Sequence, residues 1–153
     1  MTSKFNGKVI SVESVRYPNW WLDADPKVTH NSAIETKIDI QDVDTHISAH
    51  WRVIDAMNGF VYLENVKFPK HYLDAHEREI SYYTKKTRVT MTETPSEESW
   101  TKWKIIPKGG NIHYIQSEKY KDYLDAHESG WIKHRLGPPS LRSEFRIRQV
   151  TFS

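Results

Sequence analysis

The sequence predicts an all-β protein built from three similar units, and three observations lead to that prediction. A Leu-Asp-Ala triplet occurs three times, beginning at Leu22, Leu73 and Leu124, which are each 51 residues apart. Short segments rich in β-branched and aromatic residues, bounded by Gly, Pro, Asn and Ser, recur along the chain, as is typical of strands. No stretch of ten residues combines the periodicity, cap and stop signal of an amphipathic helix.

The length and composition fit one globular domain. The chain has 153 residues, which is three units of 51, and that length is enough to bury a core without covalent crosslinks. Aromatic residues make up 12% of the chain, which argues against disorder. There is no cysteine, so disulfides and thiolate chemistry are excluded.

The elements of each unit follow one order. A dipeptide that favours a hairpin turn comes first, and a strand-like segment follows it. An aromatic residue then precedes the Leu-Asp-Ala segment, and an aromatic residue with a β-branched residue two positions later closes the unit. The turn dipeptides are Asn6-Gly7, Asn58-Gly59 and Gly109-Gly110, and the closing residues are Trp51/Val53, Trp103/Ile105 and Phe145/Ile147.

Two further strands come from alternating patterns at Ile34 to Ile40 and at Thr87 to Thr92. Units of about four strands cannot each bury an apolar face, so they must share one core. Closing twelve strands with threefold pseudo-symmetry gives a β-trefoil, a barrel capped by three hairpins. The expected organisation is a single domain, 1–153, with repeats 7–58, 59–109 and 110–153. A three-bladed propeller is the structural alternative, although propellers usually have at least four blades.

The repeated motif indicates a binding surface. Because successive side chains of a strand alternate between its faces, Leu and Ala are expected in the core and their neighbours on the other face. If that face is open, an aromatic ring can cover the apolar side of a sugar ring, and a carboxylate can accept bonds from two hydroxyls. The candidate sugar-binding residues on this face are Trp21, Asp23 and Asp25, then Tyr72, Asp74 and His76, then Tyr123, Asp125 and His127.

Three more residues, His71, Trp131 and His134, are close enough in sequence to line such pockets. The alternative is structural: an Asp at a repeated position commonly accepts backbone N–H groups in a turn, and the preceding aromatic residue could close the barrel. The closing aromatic residues Trp51, Trp103 and Phe145 are expected in the core.

The chain resembles several families that share this fold. The segments Ser14 to Leu22 and Asn65 to Leu73 resemble the arabinofuranose-binding trefoil modules of some arabinofuranosidases. The Leu-Asp-Ala segment resembles the Val/Leu-Asp-Val segment of ricin-B-type lectins, which implies sugar binding by Asp23, Asp74 and Asp125. The segment Tyr-Leu-Asp-Ala-His-Glu also resembles the repeats of fascin- and hisactophilin-like actin-binding trefoils.

Other functions have little support in the sequence. A formal net charge of +2 gives no electrostatic case for nucleic acid, and no apolar run approaches the roughly 18 residues of a membrane helix. No metal or cofactor motif is present, and one carboxylate repeated three times favours repeated binding over hydrolysis. The expected function is a non-catalytic lectin with up to three sugar sites and glycans as partners. The alternative is a cytosolic protein-interaction trefoil of the actin-binding or cytokine-like kind. The first residues lack an apolar signal region, so the expected location is the cytoplasm or export without a leader.

Overall fold

The structure is a computed structural model that describes residues 3–28, 34–40, 47–78, 87–92, 99–126, 132–135 and 138–150, with side chains described for 3–24, 47–75, 100–126 and 138–150. Strands dominate these residues, and none of them lies in an α-helix. Three short 3₁₀ turns, Ile47–Ala49, Ser99–Thr101 and Leu141–Ser143, each precede a closing aromatic residue. The strands are β1 (Val9–Ser14), β2 (Trp20–Val28), β3 (Ile34–Ile40), β4 (Trp51–Asp55), β5 (Val61–Asn65), β6 (Tyr72–Arg78), β7 (Thr87–Thr92), β8 (Trp103–Gly109), β9 (Ile112–Ser117), β10 (Tyr123–Ala126), β11 (Ile132–Arg135) and β12 (Phe145–Gln149).

Six of the strands close into a barrel. β1 pairs with β12 and β4, β5 pairs with β4 and β8, and β9 pairs with β8 and β12, all antiparallel. The ring of pairings returns to its starting strand, so none of these six strands is left as an open edge.

The other six strands form three hairpins that cap the barrel. β2 pairs with β3, β6 with β7, and β10 with β11. The second strands of the hairpins meet one another, since β7 pairs with both β3 and β11. Each repeat therefore contributes two barrel strands and one cap hairpin, which is the arrangement of a β-trefoil. The predicted fold class, all-β with pseudo-threefold symmetry, is confirmed.

The core lies inside the barrel and under the cap, and it uses the repeated residues. Leucines of the three motifs are fully buried, the motif alanines are at most 2% exposed, and the closing aromatic side chains are fully buried. The core expectation is thus confirmed for Leu22, Leu73, Leu124, Ala24, Ala75, Ala126, Trp51, Trp103 and Phe145.

Two of the predicted turns connect neighbouring barrel strands. Asn58 and Gly59 lie between β4 and β5 with φ of 56° and 84°, and Gly110 lies between β8 and β9 with φ of 59°. Gly7 instead precedes β1, and its N–H donates to the Val53 carbonyl at 2.8 Å. Positive φ at these places explains why Gly and Asn recur there. Among the residues that the structure describes, no helix is long and apolar enough to cross a membrane.

Candidate functional site

The three motif carboxylates are buried, contrary to the expectation of an open face. Asp23 and Asp74 are 2% exposed and Asp125 is 5% exposed. They lie on β2, β6 and β10, and each of these strands neighbours the 3₁₀ turn of its own repeat. These carboxylates are therefore not open to a ligand, although strand alternation alone assigns them to the solvent face. Each carboxylate engages in a polar interaction within the protein.

The aromatic residues before these carboxylates differ between repeats. Tyr72 and Tyr123 are partly exposed, whereas Trp21 is buried at 7% exposure. Tyr72 meets Tyr62 edge to face, with ring centroids 6.1 Å apart and planes at 68°. Tyr123 meets Tyr114 in the same way, at 5.8 Å and 68°. Repeats two and three therefore present matching tyrosine pairs on the protein surface.

Repeat one has no such pair. The buried Ser11 of β1 corresponds to Tyr62 and Tyr114. It lies two positions before Glu13, which is opposite Trp21 in the strand register. Tyr17 and Trp20 instead form a tilted ring contact with centroids 5.4 Å apart. The first repeat thus offers a different surface from the other two.

A polar residue stands where each barrel strand passes to its cap hairpin. Glu13 lies opposite Trp21 in the strand register, Glu64 opposite Tyr72, and Gln116 opposite Tyr123. The Glu13 Oε2 atom accepts the Asn19 N–H at 2.8 Å, and the Glu64 Oε2 atom accepts the Lys70 N–H at 2.9 Å. These three residues, which we call the crossing residues, hold the turn between the two strands. Sequence reasoning missed them, although Glu13 and Glu64 have the same 51-residue spacing as the motif.

Two crossing residues also form ion pairs with the residue that follows a closing aromatic side chain. Arg52 Nη1 lies 3.3 Å from Glu64 Oε1, and Arg146 Nη1 lies 3.2 Å from Glu13 Oε1. In repeat three the amide of Gln116 donates to the Lys121 carbonyl at 3.0 Å. The acid of repeat two therefore holds an arginine, whereas the amide at the same position in repeat three binds a backbone carbonyl.

The electrostatics of repeat two keep its tyrosine protonated. Burial raises the pKa of Tyr72, and the negative charge of Glu64 and the neighbouring Tyr62 raise it further. The hydroxyl therefore remains a neutral group that both donates and accepts hydrogen bonds at neutral pH.

His71 directly precedes Tyr72 in the chain. Its side chain is partly exposed, and Nδ1 donates to the Pro69 carbonyl at 3.1 Å. The ring lies edge to face with Phe68, with centroids 6.3 Å apart. Contacts within the turn thus hold the imidazole in place.

The side chains of five predicted site residues are not among those that the structure describes. Asp25, His76 and His134 are placed by their backbones on β2, β6 and β11, but their side chains are not among those described. His127 and Trp131 lie outside the described residues altogether. Among the side chains that are described, no group of three His, Asp or Glu could hold a metal ion.

Comparisons with known proteins identify the fold at low sequence identity. No model of a protein family matches the sequence, and no curated protein matches it. A salivary protein from Culex, of the Cysteine and Tryptophan-Rich family, superposes with a TM-score of 0.78 at 12% identity over 96% of this chain and 97% of that chain.

Two of the similar structures contain bound saccharides. A Polyporus squamosus lectin bound to Neu5Aca2-6Galb1-4GlcNAc has a TM-score of 0.74 at 12% identity, over 96% of this chain and 50% of that chain. SeviL bound to the asialo-GM1 saccharide has a TM-score of 0.69 at 10% identity, over 94% of this chain and 98% of that chain. Identities this low establish a shared β-trefoil fold and nothing finer.

Proposed function

We propose that this protein is a non-catalytic carbohydrate-binding protein that holds terminal sugars on the tyrosine pairs of repeats two and three. The observation that carries the proposal is the recurrence of one ring geometry, edge to face at 68°, at equivalent places in two repeats. The lectins among the similar structures support a sugar as the class of ligand.

The chemistry of the repeat-two surface suits a sugar. The ring of Tyr72 is an apolar surface for the C–H face of a pyranose or furanose, and its neutral hydroxyl can exchange hydrogen bonds with a sugar hydroxyl. Arg52, whose side chain is 49% exposed, pairs with Glu64, which lies opposite Tyr72 in the strand register, and His71 directly precedes Tyr72 in the chain. A flat apolar surface with polar groups at its border is the usual composition of a small-molecule site.

In this proposal the motif carboxylates act indirectly. Asp74 and Asp125 come directly after the leucine that follows each tyrosine, so they fix the strand that carries the ring. Asp23 has the same part in repeat one, where Trp21 is buried and there is no tyrosine pair. The expected number of working sites is therefore two.

Two weak sites on one rigid body favour clustered glycans. Once one sugar is bound, a second on the same surface binds at a raised effective concentration if its spacing matches. Binding to dense glycan surfaces should exceed binding to single sugars in solution.

The experiment is a glycan array followed by solution titration of the strongest ligand. Replacing the ring should matter more than removing its hydroxyl, so Tyr72→Ala is compared with Tyr72→Phe, and Tyr123→Ala with Tyr123→Phe. We expect each Ala variant to weaken binding at its site about three- to tenfold, and each Phe variant to lose much less. The double Ala variant should lose array binding.

A second arm separates the tyrosines from the carboxylates. Asp74→Asn and Asp125→Asn should lower the unfolding temperature more than the affinity of the folded protein. If either variant keeps its stability and loses sugar binding, the carboxylate contacts the sugar and the assignment to the tyrosines is wrong. A blank array from well-folded protein would contradict carbohydrate binding and favour the protein-interaction alternative.

A further inference from the structure

Each repeat has one line of four residues that lie directly opposite one another on successive antiparallel strands. The four are the residue after a closing aromatic side chain, the crossing residue, the residue before the motif leucine, and its partner on the second strand of the hairpin. We call each set of four a row. The rows are Arg146, Glu13, Trp21 and Asp39 in repeat one, Arg52, Glu64, Tyr72 and Thr92 in repeat two, and Lys104, Gln116, Tyr123 and Arg135 in repeat three.

The rows carry different charges. Residues directly opposite one another in antiparallel strands share a face of the sheet, so each row contains the nearest cross-strand neighbours of its aromatic residue. The row of repeat one has one basic and two acidic residues, and that of repeat two has one of each. The row of repeat three has two basic residues and no acidic one. The two tyrosine pairs therefore differ in the charge beside them, although their ring geometry is the same.

In repeat two an acidic residue lies between the cation and the ring. Arg52 Nη1 lies 3.3 Å from Glu64 Oε1, and Glu64 is next to Tyr72 in the row. The negative charge of Glu64 helps to raise the pKa of Tyr72, so it acts on the tyrosine hydroxyl. Glu64 is 8% exposed, and salt screens a buried charge much less than an exposed one. An anion on this ring therefore meets a negative charge first.

In repeat three the acid is absent. Gln116 takes its place, and its neutral amide donates to the Lys121 carbonyl at 3.0 Å. Lys104, next in the row, is exposed, and no carboxylate of the described part of the chain forms an ion pair with it. Arg135 occupies the register position on the other side of Tyr123. Positive charge without a compensating acid is the complement of an anionic ligand.

The lysines of the turns do not distinguish the two repeats. Each turn from barrel to cap has two exposed lysines, Lys67 and Lys70 in repeat two and Lys119 and Lys121 in repeat three. Lys121 Nζ lies 3.2 Å from Glu118 Oε1 at the protein surface. Water and salt screen such exposed charges strongly. The difference between the two tyrosine pairs therefore comes from the rows.

We propose that the tyrosine pair of repeat three binds an acidic sugar, one that carries a carboxylate, and that the pair of repeat two binds a neutral sugar. This rests on the proposed sugar binding, and it adds the charge of the ligand at each site. The Tyr123 ring covers the C–H face of the sugar, and the unpaired ammonium of Lys104 attracts the carboxylate. In repeat two the Glu64 carboxylate disfavours the same ligand, so one chain recognises two classes of sugar at separate places.

The test uses variants that each keep one tyrosine pair. Tyr72→Ala keeps the pair of repeat three, and Tyr123→Ala keeps that of repeat two. Both are applied to a glycan array with neutral, uronic-acid and sialic-acid termini. Both are then titrated with two matched sets of methyl glycosides, glucoside with glucuronide and galactoside with galacturonide. We expect Tyr72→Ala to prefer the acids about threefold and Tyr123→Ala to prefer the neutral sugars. The preference for acids should shrink as salt rises from about 20 mM to about 500 mM.

Exchange of the crossing residues assigns the preference to the rows. Gln116→Glu, added to Tyr72→Ala, gives repeat three the acid of repeat two and should remove its preference for acids. Glu64→Gln, added to Tyr123→Ala, should strengthen acid binding about threefold, and its amide oxygen can still accept the Lys70 N–H. Gln149→Glu is the matched control, because it adds the same charge at an exposed position outside the three rows. It should leave both preferences unchanged.

The outcomes separate this proposal from the proposed function. If both single-pair variants bind sugars with the same preference for acidic or neutral ones, the assignment of charge is wrong and sugar binding stands. If neither variant nor the unaltered protein binds any sugar on the array, both are wrong. Glu64→Gln alone decides the effect of the crossing residue if Gln116→Glu does not fold, and an unchanged preference in that variant overturns the proposal.

Discussion

The indole nitrogens of two closing tryptophans join the barrel to the cap. Trp51 Nε1 donates to the Leu22 carbonyl at 3.0 Å, and Trp103 Nε1 donates to the Leu73 carbonyl at 2.9 Å. The 51-residue spacing predicted that these rings lie in the core. It could not predict the bonds, because each acceptor lies 29 or 30 residues earlier on a strand of the cap.

Replacing Trp51 by Phe should destabilise the fold by about 1–3 kcal/mol. The smaller ring still fits, as Phe145 shows in repeat three, but the buried Leu22 carbonyl loses its donor. Urea unfolding measures the effect, and Trp103→Phe should match it. Trp20→Phe, at a partly exposed position, is the control with a smaller expected loss. A change below about 0.5 kcal/mol in both core variants would contradict the importance of these bonds.

A buried histidine makes stability depend on pH. The pKa of His113 is lowered from its ordinary value of 6.5 by burial and by the positive charge of Lys4, against the opposing effect of the Asn111 carbonyl. In the unfolded chain the imidazole takes up a proton near pH 6.5, and in the folded protein it does so only at lower pH. The contribution of His113 is therefore complete above about pH 6.5 and is lost as the pH falls toward the folded pKa.

We expect the free energy of unfolding to fall between pH 7 and pH 5, and to fall less steeply in His113→Phe. The comparison concerns the slope, so a constant loss of stability in the variant does not affect it. Denaturant titrations at several pH values measure that slope. His71→Phe removes a partly exposed imidazole as the control, and equal slopes in His113→Phe and the unaltered protein would show that His113 contributes nothing.

At the scale of elements, each turn from barrel to cap contains a residue in the left-handed region. Asn19, Lys70 and Lys121 have φ of 69°, 66° and 58°, and only the first is a residue type that adopts this conformation readily. The hydrogen bond from the Lys70 backbone N–H to the Glu64 carboxylate holds the turn in that conformation. Two lysines therefore carry backbone strain that a glycine would remove.

Lys70→Gly should raise stability by up to about 1 kcal/mol, because relief of strain exceeds the entropy that glycine adds to the unfolded chain. Lys67→Gly is the matched control, since it removes the same charge from the same turn. Lys67 is exposed and is not among the residues with positive φ, so glycine there should cost about 0.5–1 kcal/mol. Thermal unfolding compares the two, and an equal loss in both variants would contradict the strain.

Strands were predictable from the sequence where a local alternation of residue types was enough to identify them. The alternation at Ile34–Ile40 and Thr87–Thr92 predicted β3 and β7 with the observed bounds. For the motif strands, alternation of side chains between the two faces placed the Asp residues in solvent, and that assignment holds only when one face of the strand meets solvent. Residues about 25 positions later fold back as a 3₁₀ turn next to the strand, and Asp23 and Asp74 are buried although their local pattern places them outside.

At the scale of the whole molecule, the threefold architecture followed from constant spacing and from the need of three small units to share one core. The polar contacts between repeats could not be predicted in the same way. Glu13 and Arg146 pair across 133 residues, and nothing in the sequence near either residue indicates the other. Sequence spacing therefore predicts the symmetric part of the fold. It does not predict the two surface tyrosine pairs, because they depend on contacts that differ from repeat to repeat.

The barrel is closed by its first and last strands, and their direction determines how the molecule responds to tension. Ile10 lies opposite Gln149 and Ser14 opposite Phe145, so the two strands are antiparallel, and Val150 N–H donates to the Val9 carbonyl at 2.8 Å. A pulling force applied outside β1 and β12 acts first on that bond and then on each following pair in turn. Bonds that are loaded one at a time break at a lower force than bonds that share the load, so the barrel should open at this seam and resist stretching only weakly.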